Sequence, residues 1–182
     1  MRVKTIVLGD RAVGKTCFIN HLRNEAKTNM YVPTIGVDYT PYQQSFHNIH
    51  LQIWDTSGSP RFKVIVDSFI CGSQLCIFLY KDERSFHRLM DLILDCKKDV
   101  VEKRFCIIST AEHDLADDLC AQYGYWHFKA NIYDKRECLD IWNTIAKYCR
   151  EEQTRVKWIK TDDKPVEIKR EREEGYCWWS FC

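Results

Sequence analysis

The sequence predicts an α/β domain built on a mostly parallel sheet, and three observations carry that expectation. Short apolar runs alternate with helix-like segments along the first 150 residues. The first run leads through a glycine-framed turn, Gly9 to Thr16, straight into a helical pattern. Two strand-like runs, 37–46 and 49–55, are joined only by the polar His47-Asn48 turn, which makes one antiparallel hairpin in an otherwise parallel sheet.

In order, Val3–Leu8 reads as a buried first strand and Lys15–Asn24 as a helix with Phe18, Ile19 and Leu22 on one side. Leu75–Tyr80 is wholly apolar, as a central strand requires. Ser85–Lys97 carries Phe86, Leu89, Ile93 and Cys96 at helical spacing, with Ser85 a candidate cap. Phe105–Ser109 reads as another buried strand, Leu115–Tyr123 as a helix stopped by Gly124, and Tyr125–Phe128 as the last strand. Asp134 is expected to cap a final helix with an inner stripe of Cys138, Leu139, Trp142, Ile145, Ala146 and Cys149. Composition changes after Arg150. Residues 151–182 hold seven Lys/Arg and eight Asp/Glu, few aliphatics, and a tip reading Tyr176-Cys177-Trp178-Trp179-Ser180-Phe181-Cys182. Such a stretch cannot bury enough apolar surface to fold alone. The expected organisation is therefore a domain over 1–150 and a flexible tail over 151–182.

The bulk numbers remove several function classes. Of 182 residues, 45% are hydrophobic and 29% charged, which suits one soluble domain. A net charge of +1 lacks the basic excess of a nucleic-acid binder. No apolar run approaches the ~20 residues of a membrane span. Met1 leads directly into the first strand, with no signal-peptide pattern. Ten cysteines are present, and Cys17, Cys76, Cys96, Cys106, Cys120, Cys138 and Cys149 sit singly along apolar stretches. Without a CxxC pair or Cys/His spacing, zinc is not expected. Small core residues in a reducing, cytoplasmic compartment account for them.

The motif with the sharpest chemistry is Gly9-Asp10-Arg11-Ala12-Val13-Gly14-Lys15-Thr16, which fits GxxxxGK[ST] between a strand and a helix. Gly9 and Gly14 let the backbone wrap closely around phosphate oxygens. The amides from Ala12 to Cys17 then point at the anion from the helix N-terminus. Lys15 supplies a point charge to the terminal phosphates, and the Thr16 hydroxyl is a magnesium ligand.

Two further segments, Tyr31-Val32-Pro33-Thr34-Ile35-Gly36-Val37-Asp38-Tyr39 and Leu51-Gln52-Ile53-Trp54-Asp55-Thr56-Ser57-Gly58, resemble switch I and switch II of the Rab family of small GTPases. The resemblance covers about 1–150. It implies the P-loop NTPase G domain, a six-stranded, mostly parallel sheet with about five flanking helices. It also implies GTP or GDP as bound nucleotide with Mg²⁺, where Thr16 and Thr34 are direct ligands and Asp55 holds a coordinated water. Thr34 and the Gly58 amide would each touch the γ-phosphate, so both loops order when it is present. Ile35, Gly36, Val37, Asp38, Tyr39, Trp54 and Phe62 fall on the implied effector surface. Effectors, exchange factors and activating proteins of the Rab type are the expected partners, and a monomer is the expected state.

The chain departs from that pattern in two places beside the γ-phosphate. Where the family has a glutamine that orients the attacking water, this chain has Ser59 followed by Pro60. A serine hydroxyl is too short for that task. Arg11 stands where Rabs carry a small residue, and should crowd the γ-phosphate. Both changes predict slow hydrolysis, because catalysis in this class is positioning and electrostatics. The opposite reading has Arg11 folding over the phosphate as a finger in cis. The catalytic set is then Lys15, Thr34 and a degenerate Ser59.

Guanine recognition is also eroded. The family's N-K-x-D is matched only by Ala111-Glu112-His113-Asp114, keeping the aspartate. A second reading makes Ser109-Thr110-Ala111-Glu112 a capping box that opens the next helix, with the base-reading loop deleted. The family's S-A-K loop becomes Lys129-Ala130-Asn131, where the Ala130 amide is left to face the base. Asn131-Ile132-Tyr133-Asp134 follows the last strand, in the wrong place for base reading.

Rabs end in prenylated cysteines, and Cys182 is the last residue here, five positions beyond Cys177. A prenyl group on Cys182, or palmitate, would give one lipid chain, and the tail aromatics would supply a second membrane signal. The competing reading docks this tip on a protein partner or on the domain. The implied function is a switch in vesicle traffic on the cytoplasmic face of intracellular membranes. A non-cycling binding module that sequesters Rab effectors or regulators stands beside it. A P-loop kinase or ATPase is the weaker third reading, because the switch strings argue against it and this sequence offers no acceptor-binding or lid segment.

Overall fold

The computed structural model describes residues 1–23, 32–44, 48–98, 103–111 and 115–160, the stretch 152–160 as backbone. Among the described residues, six strands form one sheet in the order β2-β3-β1-β4-β5-β6. They are β1 (Arg2–Gly9), β2 (Val37–Gln44), β3 (Ile49–Thr56), β4 (Leu75–Tyr80), β5 (Arg104–Ser109) and β6 (Trp126–Lys129). Only β2 and β3 run antiparallel, as the polar turn between them predicts. Pro41 lies within β2, where its missing N–H is tolerated because β2 is an edge strand. All six residues of β4 are buried, which is why its sequence is an unbroken apolar run.

Among the described residues, five helices flank the sheet: α1 (Lys15–Arg23), α2 (Lys63–Ile70), α3 (Glu83–Lys97), α4 (Asp117–Tyr123) and α5 (Lys135–Lys160). A 3₁₀ turn at Pro60–Phe62 precedes α2. One core, with Val7, Phe18, Ile53, Ile77, Ile108 and Trp142, lies under α1 and α5. The other, with Ile6, Leu8, Val66, Phe78, Leu89 and Ile107, lies under α2, α3 and α4. Trp142 stacks on Phe18 at 4.7 Å and donates its indole N–H to the Phe18 carbonyl at 3.2 Å. That bond lets a large aromatic be wholly buried without an orphaned donor. Of the eight cysteines among the described residues, six are core residues, Cys17 is half-buried, and Cys71 is exposed.

The helix ends follow local capping chemistry. Asp82, rather than Ser85, caps α3. Its carboxylate accepts from the Ser85 amide at 2.8 Å, while the Ser85 hydroxyl accepts from the Asp82 amide at 3.0 Å. Ser85 is thus the reciprocal partner three residues in, and the helix begins at Glu83. Glu112 of the expected capping box lies outside the described residues, and α4 starts at Asp117 behind Ala116 and not after Ser109. Gly124 ends it at φ 67°, a left-handed conformation that suits glycine. In the stripe of α5 Ile141 is buried, while Leu139 is only half-buried. The helix runs on to Lys160, beyond the change of composition at Arg150.

Asp134 does cap α5, accepting from the Arg136 and Glu137 amides at 2.8 and 3.2 Å. Asp134→Ala is expected to cost about 1 kcal/mol, lowering Tm by about 2–4 °C in a scanning-calorimetry comparison. An unchanged Tm would mean that the exposed helix start frays at no cost.

Candidate nucleotide and metal site

Register places the site. Val7 pairs with Asp55 on one side and Ile77 on the other, and Gly9 pairs with Leu79. The carboxyl ends of β1, β3 and β4 therefore deliver Gly9, Asp55 and Tyr80 to one edge of the sheet, where ligands of open parallel sheets bind.

From Gly9 the chain turns through Asp10–Gly14 into α1, with positive φ at Gly9 (147°), Ala12 (55°) and Gly14 (101°). A Cβ at Gly9 would collide with the Leu79 carbonyl, and one at Gly14 with the Ile132 side chain. Gly9 is required by space as well as by angle, and Gly14 by its angle, since the Ile132 side chain could give way. Ala12 holds its left-handed conformation without that excuse, as residues at functional turns do. Such reversals aim consecutive amides into one concavity, an anion nest.

Lys15 is only 6% exposed, and its ammonium donates to the carbonyls of Gly9 at 3.0 Å and Asp10 at 2.7 Å. Burial pulls its pKa down to about 8, against the opposing pull of the Asp55 and Asp10 carboxylates. Around the start of α1, three oxygen side chains converge. The Thr16 and Thr34 hydroxyls are 3.0 Å apart, and Asp55 Oδ2 accepts from Thr16 at 2.6 Å and from Thr34 at 3.4 Å. Asp55 is 2% exposed, and its Oδ1 is buried with no hydrogen-bond partner. Burial raises its pKa, countered first by the Thr16 bond and then by Lys15 and Thr34.

This donor set fits Mg²⁺. Magnesium takes oxygen ligands at about 2.1 Å in an octahedron, so neighbouring ligands sit about 3 Å apart. The two threonine hydroxyls have that separation, and Asp55 Oδ1 is an acceptor still to be satisfied. Among the described residues no cluster of three or more His, Cys, Asp or Glu forms a self-sufficient metal cage. A hard cation here would depend on phosphate oxygens and water to complete its shell.

The switch II segment closes over the loop. A Cβ at Gly58 would overlap the Asp10 carbonyl and the Arg11 amide, so the two backbones touch there. The Ser57 amide donates to the Gly36 carbonyl at 2.9 Å, tying this segment to the one that carries Thr34. The Arg11 guanidinium donates to the Ser59 hydroxyl at 2.5 Å. Sequence reasoning singled out both residues but not their bond, which joins positions 48 apart. It also missed Arg88, whose guanidinium pairs with Asp10 at 2.7 Å, and Arg23, which bonds Asp38 and Thr40 on β2.

Asp114 lies outside the described residues, and so does Cys182. The Ala130 amide, expected to face a base, donates to the Ser109 carbonyl at 2.8 Å as an extension of the β5–β6 ladder. Asn131 accepts from the Tyr133 amide at 3.0 Å and its own amide donates to Glu137 at 3.1 Å, so the loop after β6 is tied to itself and to α5. On the implied effector surface Ile35 is 82% exposed, Val37 and Phe62 are half-buried, and Gly36 is buried at φ 71°. Tyr39 and Trp54 pack at 4.8 Å, and Trp54 packs on Phe69 at 4.8 Å. Phe69 thereby joins that surface, unforeseen because it sits in α2.

A model of the Ras of Complex, Roc, domain of DAPkinase matches residues 4–114, well over half of the chain. The chain is 31% identical to the Ras-related protein RABD1 of Arabidopsis thaliana, over 79% of each. It is 28% identical to the Ras-related protein Rab-13 of Mesocricetus auratus, over 79% of this chain and 78% of that protein. It is 26% identical to the GTP-binding protein YPT1 of Saccharomyces cerevisiae, over 88% of this chain and 85% of that one. With the sheet order, the phosphate loop and both switch strings in place, the chain belongs to the Rab family of Ras-superfamily small GTPases, as a divergent member.

Proposed function

We propose that the protein is a magnesium- and GTP-dependent switch in vesicle traffic that hydrolyses its nucleotide slowly and discriminates poorly among bases. The observation that carries this reading is the convergence of Thr16, Thr34 and Asp55 beside a buried Lys15. Buried groups of this kind cost stability unless a ligand satisfies them. Thr16, Thr34 and Asp55 would hold the metal, which supplies charge neutralisation between the outer phosphates. Lys15, the amides of Asp10 to Cys17 and the Gly58 amide would hold the phosphates themselves. Loss of the γ-phosphate would release Thr34 and Gly58 together, since Ser57 and Gly36 are bonded. Ile35, Tyr39, Trp54, Phe62 and Phe69 would then present a different face to effectors and regulators.

Slow hydrolysis follows from the Arg11–Ser59 bond, which occupies the short side chain standing where water must be oriented. Weak base preference follows from the Ala130 amide, already spent on Ser109. Each missing base contact is worth about 1–3 kcal/mol of discrimination. Asp114 would carry what selectivity remains. No helix among the described residues is long and apolar enough to cross a membrane. Membrane contact on the cytoplasmic face would come from the segment after the domain, through a lipid on Cys182 and the aromatic tip.

The same Arg11–Ser59 bond supports a second reading, a non-cycling module that binds Rab regulators. The nucleotide that co-purifies with the protein separates the two. GTP or GDP, or a mixture with ATP, is expected by chromatography of the denatured supernatant. A nucleotide-free protein that also ignores magnesium-supplied GTP and ATP analogues would leave only the module.

A further inference from the structure

A cleft of about 330 Å³ opens between the phosphate loop, Pro60 and the first turns of α3. Its wall carries four cationic side chains, Arg11, Lys81, Arg84 and Arg88. Neither Lys15, Thr16, Thr34 nor Asp55 lines it, so it shares only Asp10 and Arg11 with the site above.

The two carboxylates in the wall are already committed. Asp10 Oδ1 accepts from Arg88 at 2.7 Å and from the Arg11 amide at 2.8 Å. Asp82 Oδ1 accepts from the Ser85 amide at 2.8 Å and from its hydroxyl at 2.7 Å. Lys81 and Arg84 make no side-chain hydrogen bond or ion pair among the described residues. Four positive and two negative charges thus meet in one concavity of a chain whose net charge is +1. A concave wall with an excess of positive charge concentrates anions. Three of the four cations are arginines, whose planar forks grip oxyanions in pairs of bonds. Apart from Pro60 the wall offers no apolar side chain, which excludes a hydrophobic guest. The volume lies at the small end of ligand sites, about 300–1,000 Å³, and suits a compact polyanion better than a peptide.

We propose that this cleft is a second anion site that takes a phosphorylated polyol on Arg11, Lys81, Arg84 and Arg88. Free sugar phosphates and lipid headgroups share that chemistry. The site goes beyond the switch reading and does not require it.

The test uses the full chain charged with magnesium and a non-hydrolysable GTP analogue, so that the phosphate loop is filled, and its loading is measured first. Inositol trisphosphate is then titrated calorimetrically at physiological salt. Saturable one-to-one binding is expected. Lys81→Glu/Arg84→Glu should weaken it at least ~10-fold without changing analogue affinity. A charge-matched Arg2→Glu/Lys135→Glu variant should bind as the parent does. Phosphatidylcholine vesicles with about 5 mol% phosphatidylinositol bisphosphate form the second arm. Tighter binding there than to the free trisphosphate assigns the source as a membrane, and the reverse assigns a soluble metabolite. Absence of saturation, equal binding by Lys81→Glu/Arg84→Glu, or equal loss in the control variant overturns the proposal. Tighter binding of an oligoglutamate peptide overturns it in favour of an acidic protein segment. Failure to load the analogue would count against the switch reading alone, because the cleft variants report on the cleft whether or not the loop is filled.

Discussion

Lys15→Met is expected to reduce affinity for magnesium–GTP by about 10²- to 10³-fold while leaving the ligand-free fold as stable as the parent, or slightly more so. The two signs follow from one environment. The ammonium is 6% exposed, and burial holds its pKa at about 8 rather than 10.5. That displacement corresponds to about 3 kcal/mol set against the charged form. Against it stand two hydrogen bonds to the Gly9 and Asp10 carbonyls, each worth about 1 kcal/mol net. Methionine keeps the apolar stem, discards the buried charge, and leaves those two carbonyls unpaired, so the changes roughly cancel in the free protein. With nucleotide present they do not cancel, because the phosphates lose a desolvated cation. Urea denaturation of the ligand-free protein and equilibrium binding of a fluorescent GTP analogue measure the two sides separately. A parallel loss of about 2 kcal/mol or more in stability would make Lys15 a structural residue and sink the argument.

The parts of this molecule legible in the sequence are those set by local chemistry. Strand β4 is apolar throughout because both faces are covered, and the phosphate loop is a contiguous string whose glycines answer a steric demand within a few residues. Helix α2 was not legible. Of its eight residues only Val66 and Ile70 are buried, and Val64 is 83% exposed, so no helical stripe shows in the pattern. The α3 cap is ambiguous in the sequence because Asp82 and Ser85 are both good caps and only the backbone geometry distinguishes them. The same limit operates at the site. Thr16, Thr34 and Asp55 could be assembled from separate motifs, since the fold that brings them together is implied by those motifs. The pairing of Arg11 with Ser59, of Asp10 with Arg88, and of the Ala130 amide with Ser109 depends on side-chain direction and ladder register, which no spacing encodes.

Arg11→Ala combined with Ser59→Gln is expected to raise single-turnover GTP hydrolysis by about 10- to 100-fold, and the two changes should act more than additively. Arg11→Ala alone frees the Ser59 hydroxyl from the guanidinium, but a hydroxyl at that distance still cannot reach in-line water, so less than about 3-fold is expected. Ser59→Gln alone supplies the reach but leaves Arg11 in place. The guanidinium that now donates to the serine oxygen at 2.5 Å would donate to the glutamine carbonyl instead and hold it away from water. Only the double variant has both a long enough side chain and the freedom to turn it inward. A coupling of about 1 kcal/mol or more in the double-mutant cycle is therefore the signature of this contact. Nucleotide affinity should change little, since neither side chain is among those expected to hold the phosphates or the metal. If Arg11→Ala by itself restores the full rate, crowding of the γ-phosphate is the whole defect and the bond to Ser59 is incidental. If the double variant is no faster than the parent, the fault lies in the rigidity that Pro60 imposes at the start of the 3₁₀ turn, and Pro60→Ala in that background should then release it.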